Sequence, residues 1–116
     1  MIYEDKQLLL KDLSARLPYK VIIRSVGENK IISLWDLRDI DNLPLPYLRP
    51  MSSMTEEERN EYLSIKMQET ERVALTEVYR PEAISEIMDW LNKRHFDYRG
   101  LIEKGLALEA PEGMYK

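Results

Sequence analysis

The sequence predicts a single α+β domain, and three patterns carry that prediction. Leu9, Leu10, Leu13 and Leu17 recur at helical spacing near the N-terminus. Tyr19–Val26 is rich in β-branched residues and is followed by Gly27-Glu28-Asn29-Lys30 and the apolar run Ile31–Leu34, as in a β-hairpin. Ile84, Ile87, Met88 and Leu91 then follow an i, i+3, i+4, i+7 stripe. The expected order is an N-terminal helix, a small antiparallel sheet around Tyr19–Leu34 with one or two further short strands, two further main helices and a structured C-terminal segment. A chain of 116 residues suits one core and is too short for two.

The first helix is expected over Lys6–Leu17, capped by Asp5 and stopped by Pro18, because the residue before a proline avoids the helical region. In the hairpin, Val21 and Ile23 share one face and Ile22 and Arg24 the other. Two strands alone are marginal in water, so a third strand or a helix must cover one face. Trp35–Pro50 reads as irregular, since Pro44, Pro46 and Pro50 each remove a backbone donor. Leu45, Tyr47 and Leu48 among these prolines suggest an extended segment, an edge strand.

Thr55-Glu-Glu-Glu58 is a capping box, with three carboxylates at the favourable end of a helix dipole. The apolar residues beyond it, Tyr62, Leu63, Ile65 and Met67, form a narrow stripe. That stripe fits a helix on the surface, or one that finds its partner in another chain. Val73–Tyr79 reads as a third strand. Pro81 suits the first turn of a helix over Pro81–His95. Burying its four-residue stripe contributes roughly 1.5–3 kcal/mol per side chain. Gly100 permits a bend, Leu101–Lys104 a helical turn ended by Gly105, and Leu106–Ala110 a final short strand.

Composition narrows the function classes. Seventeen Lys and Arg against 21 Asp and Glu give a net charge of −4, so the chain lacks the global attraction to phosphate backbones of a basic domain. With no cysteine, disulfides, thiolate catalysis and cysteine zinc sites are excluded. No basic and apolar leader opens the chain and no apolar run approaches the ~18 residues that span a bilayer. A cytoplasmic protein without membrane association is the expectation.

His95 is the only histidine. Asp97 is near it, but no serine sits in a Gly-x-Ser-x-Gly elbow, so His95 is expected to end its helix and pair with a terminal carbonyl rather than catalyse. Asp36, Asp39, Asp41 and Asn42 lack the spacing and the glycine of a calcium loop and read as a solvated turn. Four scattered glycines form no phosphate cradle. No enzyme activity, cofactor or metal is expected. The leading expectation is a non-catalytic protein-interaction module. Trp35, Leu45, Tyr47, Tyr62 and Met67 lie in poorly covered segments and are the candidate partner face, for this chain itself or another protein. The alternative is nucleic-acid binding through Lys93, Arg94, His95 and Arg99, interleaved with Phe96 and Tyr98.

Three blocks also occur in order: Leu8–Tyr19, Tyr47-Leu-Arg-Pro-Met-Ser-Ser-Met-Thr-Glu-Glu-Glu58 and His95–Tyr115. Together they cover under half of the chain. Their sequence resembles a family of small uncharacterised proteins of gut anaerobic bacteria, often encoded near mobile or phage-like DNA. The resemblance implies a reduced SH3-like sheet, because the strand-rich stretch before Tyr47 is shorter here. It also implies the setting of an accessory protein of a mobile element. It transfers no catalytic residue.

Overall fold

The computed structural model describes residues 2–76 and 81–115, and of residues 69–76 and 81–84 the backbone alone. The fold is α+β, as expected, with the leucine-rich helix first. Helix α1 spans Tyr3–Arg16. It begins three residues earlier than Asp5 would set. Ile2 stands at its N-cap without a side-chain bond, and Glu4 and Asp5 occupy the first turn, where carboxylates complement the dipole. Pro18 lies in the first turn of a short 3₁₀ segment, Leu17–Tyr19, so the helix tightens before it stops.

Strands β1 (Ile22–Ser25) and β2 (Glu28–Ile31) form an antiparallel hairpin with Ser25 opposite Glu28. The connection is two residues, not the four of Gly27–Lys30. Val26 and Gly27 both take positive φ, 52° and 77°, the left-handed pair of a type I′ turn, whose twist matches the strands. Most of the expected loop is therefore strand. Ile32 donates its N–H to the Val21 carbonyl at 3.0 Å, which fixes the alternation. Val21, Ile23 and Ser25 turn their backbone groups toward β2, and Ile22 and Arg24 turn theirs away. On β2, Asn29 and Ile31 therefore aim N–H and C=O at the open edge.

Strand β3 (Leu45–Leu48) runs antiparallel to β1, and β4 (Leu108–Glu109) lies parallel to β3. The order is β2-β1-β3-β4. The expectation of an edge strand at Leu45–Leu48 is thus corrected. Pro46 sits opposite Ile23, whose backbone groups face β2, so the missing proline N–H falls on the far side of β3. There β4 pairs only with Tyr47 and Leu48, beyond the proline.

Helix α2 spans Glu56–Thr76 behind a complete capping box: the Glu58 amide donates to Thr55 Oγ1 at 3.1 Å and the Thr55 amide to Glu58 Oε1 at 3.0 Å. The strand expected at Val73–Tyr79 is helix over its described residues. Residues 73–76 continue α2, since no breaker follows Arg72 and extending a helix needs no new nucleus. Residues 77–79 lie outside the described ones. Helix α3 is Pro81–Lys93.

The core gathers Leu9 and Leu13 of α1, Val21, Ile23, Ile32 and Leu48 of the sheet region, and Leu101, Leu106 and Ala107. The α3 stripe contributes less than its periodicity suggests. Leu91 is buried, Ile87 and Met88 are half-buried, and the Ile84 side chain is outside the description. Among the described residues no helix is long and apolar enough to cross a membrane.

Candidate functional site

Helix α3 ends in a Schellman motif. The Phe96 amide donates to the Leu91 carbonyl at 3.0 Å and the His95 amide to that of Asn92 at 3.1 Å. His95 holds the left-handed position, φ 64°, where glycine is usual. Its carbonyl accepts from the Arg49 amide, and the Arg49 carbonyl accepts from the Asp97 amide, both at 2.8 Å. The end of β3 is thereby stitched to the end of α3. The Arg49 guanidinium makes two bonds to Glu58, at 2.8 and 2.7 Å, and lies 4.3 Å over the Phe96 ring. Chiefly through the Arg49 hydrogen bonds, and with help from Thr55, the Glu58 carboxyl drops to a pKa of about 2.

The other side of this corner is a buried ionic network. Arg16 donates from Nε to Asp12 Oδ2 at 2.9 Å and from Nη2 to the Phe96 carbonyl at 2.6 Å. Arg99 donates to Asp12 Oδ1 at 3.0 Å and to the Tyr98 hydroxyl at 2.6 Å, and that hydroxyl donates to Asn92 at 2.8 Å. The Asp12 and Arg16 side chains are fully buried.

His95 and Tyr115 stack with ring centroids 3.8 Å apart. The Tyr115 hydroxyl accepts from the Ile22 amide at 2.9 Å and donates to the Tyr47 carbonyl at 2.6 Å. It is inserted between β1 and β3 where their direct pairing ends. Burial pushes its pKa up to about 12. Burial foremost, then Arg16 and Arg49, pull the His95 pKa down to about 4, so the ring is neutral near pH 7. Its Nδ1 is buried with no hydrogen-bond partner. The two rings help line an open groove of about 860 Å³, together with Arg49, Lys93, Arg94, Glu109 and Glu112. Asp97 does not orient His95. Its carboxylate accepts from the Leu101 and Ile102 amides at 2.8 and 3.0 Å, closing the turn after Arg99. No catalytic dyad is assembled, and the His95 side chain does not pair with a helix carbonyl as expected.

The basic patch of Lys93, Arg94, His95 and Arg99 is not presented as one surface. Lys93 is exposed, but Arg94 binds Glu61 at 3.1 Å, His95 is buried and Arg99 is committed to Asp12.

The expected partner face also divides. Leu45 packs against the core, the Tyr47 carbonyl receives Tyr115, and Tyr62, half-buried, stacks on Trp90 at 5.5 Å. Met67 is 59% exposed on α2 and Trp35 is 69% exposed. Trp35 stands in company that sequence reasoning missed: Ile31, the last residue of the edge strand β2, and Leu34, which opens the next turn, are 57% and 73% exposed. The 3₁₀ turn Leu34–Leu37 that carries Trp35 is held firmly. The Ser33 amide and hydroxyl donate to Asp36 at 2.8 and 2.9 Å, and Lys30 pairs with the other Asp36 oxygen at 2.9 Å. Arg38 lies 4.3 Å over the indole and donates to the Trp35 carbonyl at 3.0 Å. The available signal was Ser33-x-x-Asp36, a capping pattern with aspartate in place of glutamate.

No protein-family model, curated protein or solved structure matches the chain.

Proposed function

We propose that the chain is a non-catalytic protein-interaction module that engages its partner through the β2 edge and the adjoining ledge of Ile31, Leu34 and Trp35. One observation carries this reading: Trp35 is exposed, yet fixed in place by a capped turn and a stacked arginine. An immobilised aromatic beside an arginine is the composition of an interface hot spot, and pre-ordering lowers the entropy lost on binding. The non-catalytic part is supported by His95, a neutral ring stacked on Tyr115 with its neighbouring carboxylate engaged elsewhere. The setting implied by the three sequence blocks, an accessory protein of a mobile or phage-like element, accords with a binding role.

The test places a photo-crosslinking amino acid at Trp35 and, as control, at the exposed Lys104. Irradiation in host lysate, with and without nuclease, is expected to give discrete protein adducts from position 35 in both and none from 104. Adducts that vanish with nuclease, or equal labelling at both positions, would overturn the reading.

A further inference from the structure

We infer that the partner at this surface is a second copy of the chain, joined by antiparallel pairing of β2 with β2 about a two-fold axis at Asn29. The inference rests on the interaction reading above and adds its occupant and register. All four β2 residues are exposed and the strand ends the sheet, so the backbone groups of Asn29 and Ile31 are open to a further strand.

Alternation and charge together select the register. Antiparallel strands exchange hydrogen bonds only between residues that both aim outward, which limits two-fold axes to Asn29, Lys30 or Ile31. An axis at Lys30 sets that ammonium against its own copy, a destabilising like-charge pair. An axis at Ile31 runs the pairing past the end of the strand. An axis at Asn29 places Glu28 of each copy opposite Lys30 of the other, in the non-hydrogen-bonded positions where side chains approach closest. It thus makes two ion pairs from one strand. Lys30 keeps 45% of its side chain exposed while bound to Asp36, so its ammonium retains donors for the second carboxylate. The same register runs the Val26–Gly27 turn of one copy past Ile31 of the other. That covers two apolar residues which stand 100% and 57% exposed in the single chain.

Self-complementary charge also supplies the experiment. Sedimentation over a concentration series is expected to show a monomer–dimer equilibrium for the native chain. Glu28→Lys alone and Lys30→Glu alone each set like charges across the axis and should weaken the dimer about tenfold or more. An equimolar mixture of the two variants restores opposite charges at both positions and should dimerise again. Asn29→Pro, which removes an outward N–H without touching the β1–β2 ladder, should abolish association while circular dichroism remains native. A native chain that stays monomeric would overturn the self-pairing. If position 35 still crosslinks other proteins in that case, the interaction reading survives its failure. A dimer indifferent to Glu28→Lys and to Asn29→Pro, or variants that fail to complement on mixing, would overturn the register and with it the proposal.

Discussion

Arg16, at the end of the first helix, donates to the carbonyl oxygen of Phe96 at 2.6 Å across 80 positions of sequence. That bond ties the opening of the chain to the turn behind α3. It belongs to a set in which all three distinctive sequence blocks meet. Asp12 and Arg16 come from the first, Arg49 and Glu58 from the second, and His95, Phe96 and Arg99 from the third. Most of their polar groups are paired with one another inside the fold, with Arg16 Nη1 and His95 Nδ1 left over. The proposed recognition surface, at β2 and Trp35, involves none of them.

The Asp12–Arg16 pair is fully buried and Asp12 serves two guanidinium groups. Removing Asp12 leaves the buried Arg16 charge uncompensated in the interior. Asp12→Asn, which strips both guanidinium groups of their carboxylate, is expected to cost about 3–5 kcal/mol, and Arg16→Met less, because Arg99 still compensates Asp12. Arg99→Gln should cost less, because its side chain is 14% exposed and part of its charge is already solvated. Urea unfolding midpoints at neutral pH check the ranking.

Val26 is a β-branched residue held at φ 52° and wholly exposed, so it contributes no packing to offset its backbone strain. Val26→Asn creates the Asn-Gly pair that a type I′ turn favours. At a concentration where the chain is monomeric, the variant should be more stable by about 1 kcal/mol. A thermal melt that falls instead of rising would mean that the Val26 side chain is covered in solution.

These two cases mark what was legible in the sequence and what was not. Leu9 and Leu13, the alternation of Val21 and Ile23, and the Thr55–Glu58 box are local patterns whose physics is complete within a few residues. The hairpin was legible in kind, but its turn was not, because the rule that locates it favours Asn or Gly where Val26 stands. The α3 stripe was over-read. Periodicity says which residues share a face, not which body covers that face. The roles of His95, Arg99 and Tyr115 were invisible because each is set by a partner from a distant segment. Trp35 was legible as a candidate, whereas its neighbours Ile31 and Leu34 were read as the second arm of the hairpin.

Tyr115 should be sensitive to the loss of one oxygen. Its hydroxyl satisfies the Ile22 amide and the Tyr47 carbonyl at once. Tyr115→Phe keeps the ring against His95 and leaves two backbone groups without a partner, a cost of about 1–3 kcal/mol. Amide exchange supplies the specific readout: protection at Ile22 should fall, while protection at Ile32, bonded to Val21, should persist.

Acid should destabilise the fold in two successive steps with separate owners. The folded His95 has a pKa of about 4, below its ordinary 6.5, so as pH falls through this window the unfolded chain takes up a proton that the folded chain refuses. Stability therefore rises with pH from 4 to 6.5 and is fully present above 6.5. Glu58 is shifted from 4.5 to about 2, so its contribution is present above 4.5 and is lost as pH falls toward 2. His95→Asn suits the left-handed backbone and carries no titrating ring, so it should flatten the upper step and leave the lower one. Glu58→Gln should do the reverse. Unfolding midpoints measured across both windows separate them. An upper step that survives in His95→Asn would assign the first acid loss to another group and return His95 to a solvated, protonatable state.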